Sequence, residues 1–110
     1  MRTIELDLTG SLAHRSVRLR PLTEGDQLRV HLTEIPSSGF RWTAELPSSA
    51  RCDEDTLNGD VQTRLRCGAG RVRTMQFTAV GMVDQPLRLR LARAFGDRTP
   101  AQTVTVYPDA

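Results

Sequence analysis

The sequence has no lysine; all fifteen of its basic residues are arginine. Against thirteen acids these leave a net charge of only +2, too little to draw in nucleic acid or an anionic surface by bulk charge. Aromatic residues are also scarce. One Trp, one Tyr and three Phe give little of the ring surface on which a single-stranded nucleic acid stacks. The only cysteines, Cys52 and Cys67, fall short of the four ligands of a structural zinc site. His14 and His31 have no Cys, Asp or Glu at ligand spacing, so no metal and no cofactor is expected. No apolar run reaches the length of a membrane-spanning helix. Nor is there a nucleophile-elbow motif or other catalytic constellation, so no catalytic residue is expected and the chain does not read as an enzyme.

Two matters stay open at this level. Cys52 and Cys67 form a disulfide if the chain is exported and remain thiols in a reducing compartment. The N-terminus, from Met1 to Asp7, alternates apolar and acidic residues and is unlike a signal peptide. It implies a cytoplasmic protein unless an export sequence has been removed.

What is present is alternation. Ile4, Leu6 and Leu8 alternate with Glu5 and Asp7; Val17 and Leu19 with Arg18 and Arg20; Leu28, Val30 and Leu32 with Arg29 and His31. Phe40, Trp42, Ala44 and Leu46 repeat the spacing, as do Met75, Phe77 and Ala79, then Leu87, Leu89 and Leu91, then Val104 and Val106. A period of two is that of a half-buried strand. Gly and Pro punctuate the runs, and no window holds a helical period for three turns. The pattern predicts one all-β domain over residues 1–110, an antiparallel β-sandwich with wetted outer faces. Arg18, Arg20, Arg29, Arg64, Arg66, Arg88 and Arg90 fall opposite the apolar positions and are expected on those faces. Residues 47–60 are polar and acidic and carry no clear alternation; Val61, Thr63 and Leu65 read as a short strand after them.

The most informative stretch is Glu34-Ile35-Pro36-Ser37-Ser38-Gly39-Phe40-Arg41-Trp42, which joins two alternating runs. Pro36 lacks an N–H and ends a strand ladder, and Gly39 permits the positive φ of a sharp return. Ser37 and Ser38 form a small polar tip above an apolar anchor of Phe40 and the only Trp, Trp42.

Pro36-Ser37-Ser38-Gly39-Phe40-x-Trp42 resembles the Asn-Pro-Thr-Thr-Gly-aromatic-x-Trp loop of the chagasin family, protein inhibitors of papain-like cysteine peptidases. Gly68-Ala69-Gly70 with Arg71, followed by Met75-Gln76-Phe77-Thr78-Ala79, is similar to that family's second, Gly-rich loop and its strand. Arg93-Ala94-Phe95 is similar to its third loop, and Thr103 to Tyr107 to its last strand. The resemblance implies an immunoglobulin-like β-sandwich presenting three loops to a peptidase cleft as a reversible, non-covalent plug. The first loop would use Pro36, Ser37, Ser38, Gly39 and Phe40; the second Gly68, Ala69, Gly70 and Arg71; the third Arg93, Ala94 and Phe95. The implied partner is a papain-like cysteine peptidase, not nucleic acid or membrane, met by an inhibitor that is a monomer when free.

The chain departs from the family pattern at Ile35, where Asn is usual, at Arg71, in place of a Gly, and at Ala94, in place of a Pro. Each removes a device that stiffens a loop or lets backbones approach. Those departures keep a second expectation alive, an immunoglobulin-like binding or assembly module of the same fold without inhibitory activity.

Overall fold

The structure, a computed structural model, describes residues 2–9, 14–35, 38–58, 71–93, 95–97 and 99–108, without the side chains of His14 and Asn58. Among the described residues eight strands follow one another: β1 (Thr3–Leu8), β2 (His14–Arg18), β3 (Gln27–Glu34), β4 (Phe40–Glu45), β5 (Ala50–Asn58), β6 (Arg71–Ala79), β7 (Leu87–Arg93) and β8 (Gln102–Tyr107). They build two four-stranded sheets, ordered β1-β3-β6-β5 and β2-β8-β7-β4. The all-β sandwich expected from alternation is the fold observed. Its central pairings are antiparallel, while β1 adds to β3, and β2 to β8, in parallel. Such pairings join strands distant in sequence, so local alternation carries no signal for them.

The inward phase of each run forms the core. Leu28, Val30 and Leu32 on β3 meet Met75 and Phe77 on β6, and the facing sheet supplies Trp42, Leu87, Leu89, Val104 and Val106, all buried. Burying a Leu, Val or Phe side chain is worth about 1.5–3 kcal/mol each, and this shared apolar layer holds the sheets face to face. Outward positions carry the arginines expected there: Arg18, Arg20 and Arg88 are exposed, and Arg29 and Arg90 half-buried. Arg64 and Arg66 lie outside the described residues.

Within the acidic stretch 47–60, which lacks alternation, the structure has a nine-residue strand, β5. It is an edge strand with one strongly buried side chain among those described, Ala50, and its register slips between Cys52 and Glu54. Charges and a bulge are how sheet edges avoid pairing with other chains, and both erase the pattern by which a strand is recognised. The short strand expected over Val61, Thr63 and Leu65 lies outside the described residues.

Register fixes where the connections go. β3 ends at Glu34 opposite Arg71, the first residue of β6, and Asn58, the last of β5, pairs with Val72. In the other sheet Phe40, which begins β4, pairs with Arg93, which ends β7, and Leu91 pairs with Gln102 at the start of β8. The connections 35–39, 59–70 and 94–101 therefore all spring from one pole of a body 42 Å in its longest dimension. β1 ends and β2 starts at this pole too, because Leu8 pairs with Leu32 and His14 with Thr103. The connections 19–26, 46–49 and 80–86 lie at the opposite pole.

Candidate functional site

At the first pole the connection from β3 to β4 is braced from within. Ile35 O accepts from Ser38 N at 3.0 Å and from Ser38 Oγ at 2.6 Å, and Ser38 Oγ in turn accepts from Phe40 N at 3.2 Å. The Ser38 hydroxyl thus stiffens the turn despite Ile35 standing where the family has Asn. Gly39 follows with φ +82° and open space around the position of a Cβ, so the demand for glycine there is conformational and not steric. Pro36 and Ser37 lie outside the described residues.

Below the turn, Trp42 is only 4% exposed and donates its indole N–H to Thr33 O at 2.9 Å. Thr33 is on β3 and Trp42 on β4, so the ring bridges the two sheets under the loop. Phe40 is half-buried above it, and a cleft of about 310 Å³ opens between the sheets, lined in part by Leu8, Ile35, Phe40 and Leu91.

A buried ion cluster missed in the sequence supports the same region. Glu34 is 2% exposed and takes a two-point grip from Arg73, Nε to Oε1 at 2.8 Å and Nη2 to Oε2 at 2.7 Å. Its Oε1 also accepts from Trp42 N across the sandwich at 2.8 Å, and Arg73 Nη1 donates to Asp55 on β5 at 2.7 Å. Burial, the largest influence on Glu34, would raise its pKa; the hydrogen bonds from Arg73 and Trp42 and the charges of Arg73 and Arg41 together outweigh it and leave the carboxyl lowered. The same bonds push Arg73 further up, so both groups stay charged. This cluster joins β3, β4, β5 and β6 directly beneath two of the connections. A signal was available. Glu34 continues the inward phase of Leu28, Val30 and Leu32, and Arg73 stands two residues before Met75 in the inward phase of β6. Opposite charges in the apolar phase of neighbouring strands imply a buried pair.

The third segment starts from Arg93, whose guanidinium lies 5.1 Å from the centroid of the Phe40 ring, a cation–π contact linking it to the first loop. Phe95 is 86% exposed. Gly96 has φ +76°, and Asp97 accepts from Thr99 Oγ1 at 2.6 Å and Thr99 N at 2.9 Å, bonds that lower its pKa. These contacts tie Thr99 back to Asp97; Ala94 lies outside the described residues, as do Gly68, Ala69 and Gly70. Arg71, at the foot of the Gly-rich segment, is exposed.

The described part of this pole has no machinery for bond-breaking. The Ser38 hydroxyl is held by backbone groups, the Ile35 carbonyl and the Phe40 N–H. The exposed Cys52 thiol lies far down β5, opposite Phe77, and burial, followed by the charge of Asp55, pushes it up and away from thiolate. What its described residues offer is a braced surface with an exposed aromatic, Phe95, and exposed arginines.

Comparison with known proteins bears on the family and the fold. The family model described as chagasin family peptidase inhibitor matches residues 21–107. Comparison with curated sequences gives no match. Among solved structures, the fold is similar to a cysteine protease inhibitor from Entamoeba histolytica, at TM-score 0.71 and 18% identity, covering 96% of each chain. It is also similar to PbICP-C, solved in complex with falcipain-2, at TM-score 0.68 and 11% identity, covering 94% of this chain and 96% of that one. Amebosin matches at TM-score 0.53 and 14% identity, over 94% and 95% of the two chains.

Proposed function

The chain belongs to the chagasin family of cysteine peptidase inhibitors, and from that premise we propose that it inhibits papain-family peptidases by seating its loop pole in the substrate cleft. The observation that carries this reading is the register that roots 35–39, 59–70 and 94–101 on one end. A relative of the same fold, PbICP-C, has been solved in complex with falcipain-2, which supports a peptidase as the kind of partner.

In this reading the plug is reversible and non-covalent. Pro36, Ser37, Ser38 and Gly39 lie over the catalytic thiol, with Phe40 as the foot of the loop. Gly68, Ala69, Gly70 and Arg71 run along one cleft wall, where small residues let backbones approach. Arg93, Ala94 and Phe95 pack on the other wall, Phe95 as an aromatic anchor. The turn offers no extended peptide to the nucleophile, so the inhibitor is not cleaved. Ser38, Trp42 and the Glu34–Arg73 pair hold the loop in shape before binding, which reduces the ordering cost of association. A single domain acting as a free monomer suffices for such a plug.

Titration against papain tests the proposal. Competitive, reversible inhibition that persists in Cys52→Ser and Cys67→Ser variants is expected, since no mixed disulfide is involved. Absence of inhibition across several papain-family enzymes would instead favour a binding module that has kept the fold and lost the activity.

A further inference from the structure

Several arginines on the sheet faces and near the far pole are matched to carboxylates, whereas Arg15, Arg20 and Arg88, spread over the body, form no ion pair among the described residues. Arg2 meets Asp26 at 3.3 Å, Arg29 meets Glu5 at 3.8 Å and Glu54 at 3.6 Å, Arg51 meets Asp53 at 2.7 Å, and Arg90 meets Glu45 at 3.0 Å. Arg73 is consumed by Glu34 and Asp55. Three arginines without an ion pair gather at the loop pole. Arg41, Arg71 and Arg93 are exposed, and among the described residues no carboxylate forms an ion pair with any of them.

Their positions are set by the strand ends. Arg71 stands opposite Glu34, Arg93 opposite Phe40, and Arg41 one residue along from Phe40, opposite Ala92. Arg93 is held over the Phe40 ring, so its guanidinium is partly ordered before any partner arrives. The described carboxylates nearby hydrogen-bond to other groups, while the charge of Arg93 reaches Asp97 and that of Arg41 reaches Glu34 without ion-pair contact. Glu34 is buried under Arg73, Asp97 accepts from Thr99, and Asp7 accepts from Thr9. Two exposed apolar side chains, Ile35 and Phe95, share the same end.

We propose that the loop pole is matched to a peptidase whose cleft is rimmed by carboxylates, with Arg41, Arg71 and Arg93 as the residues that select it; this rests on the inhibitory reading above. A guanidinium presents a planar fork that fits a carboxylate at two points. When Phe95 and Ile35 are driven into a cleft, the neighbouring arginines lose water. A rim with carboxylates replaces that water, and a neutral or basic rim leaves the cations stranded. Arg71, which breaks the glycine pattern of the family's second loop, thereby trades close backbone approach for a charge contact. Complementary rims also steer the approach, so the signature is in the association rate and its response to salt.

The test uses a papain-family peptidase with an acidic cleft rim, and the same enzyme with its rim carboxylates replaced by Asp→Asn and Glu→Gln. Association rates are measured from about 20 to about 500 mM ionic strength, a range that shortens the screening length severalfold. For the wild-type inhibitor and the acidic enzyme, the rate is expected to fall about 10-fold or more across that range. The triple variant R41Q/R71Q/R93Q should start about 10-fold slower and respond little to salt, and the rim-neutralised enzyme should behave likewise with the wild type. Arg88→Gln, an exposed change elsewhere on the sandwich, should match the wild type. Single substitutions and an unchanged melting temperature guard against misfolding of the triple variant. A wild type that inhibits with salt-insensitive association, or a triple variant as fast as the wild type, overturns this inference and leaves the inhibitory reading standing. A wild type that inhibits neither enzyme at any salt overturns both together. Binding of a single-stranded oligonucleotide at physiological salt, lost in the triple variant, would assign the arginines to nucleic acid and overturn the peptidase rim.

Discussion

The two poles of this sandwich are tied off by different means. At the far pole the connections bond to one another through their backbones. Leu22 and Val83 exchange N–H···O bonds at 3.3 and 2.8 Å, Gly25 N donates to Ala79 O at 2.8 Å, and Val80 N to Ser49 O at 2.8 Å. Asp26, 3% exposed, gathers the backbone N–H groups of Thr23 and Arg2 at 2.9 Å each. At the loop pole the described residues of two connections bond within their own segment, Ser38 to Ile35 and Thr99 to Asp97, and support comes from beneath, through Glu34, Arg73 and Trp42. One end spends its polar groups on closing the fold. The other exposes Arg41, Arg71, Arg93 and Phe95 above braced strand ends, an arrangement suited to binding without induced folding.

The contrast can be broken from below. Arg73→Ala leaves Glu34 buried without its cation, and about 3–5 kcal/mol of stability should be lost, seen as a lower urea midpoint together with weaker inhibition. Equal stability to the wild type would mean that the cluster is not what braces the loops.

Acid should act on the far pole. The Thr23 backbone N–H, against some burial, and then the Arg2 N–H and the Thr23 hydroxyl, hold the Asp26 carboxyl down to about 2, below its ordinary 3.8. A lowered carboxyl contributes stability that is complete above the unfolded value and disappears as pH falls through the folded one. Stability should therefore decline between pH 3.8 and about 2, and Asp26→Asn should flatten that slope in a denaturant series while leaving inhibition at neutral pH unchanged. An unaltered slope would assign the acid sensitivity to other carboxyls.

The loop pole should show the reverse separation of binding from stability. Phe95→Ala removes an exposed anchor, so inhibition should weaken by about 2 kcal/mol, roughly 30-fold, with no shift in melting temperature. An unchanged inhibition constant would take Phe95 out of the interface. Ser38→Ala deletes the brace within the first loop and should cost inhibition about 1 kcal/mol, again at constant global stability. A fall in melting temperature with full inhibition would make Ser38 a fold residue only.

Strands whose inward face is apolar were legible from the sequence, because alternation is a direct image of burial on one side: Leu28, Val30 and Leu32 are all inward, as are Leu87, Leu89 and Leu91. β5 was not, since Asp53, Glu54 and Asp55 guard a sheet edge and the slip at Cys52 interrupts its period. The parallel attachment of β1 and β2 depends on partners far along the chain and has no local trace. In the candidate site, the turn at Gly39 and the anchor of Phe40 and Trp42 were visible as residue types with stated conformational needs. The support beneath was harder to see. Glu34 stands at the edge of the loop motif and passes for its first polar residue, although its spacing from Leu32 puts it inside. Likewise Ser38 reads as a tip hydroxyl available to a partner, whereas its oxygen is committed to Ile35 and Phe40.

The most direct test is a crystal structure of this chain bound to papain. Ser38 and Gly39 are expected above the catalytic thiol, Phe95 and Arg93 on one cleft wall and Arg71 toward the other, with the far pole in solvent. A complex made through the far pole, or through the edges of β4 or β5, would be incompatible with a plug built from the loop pole.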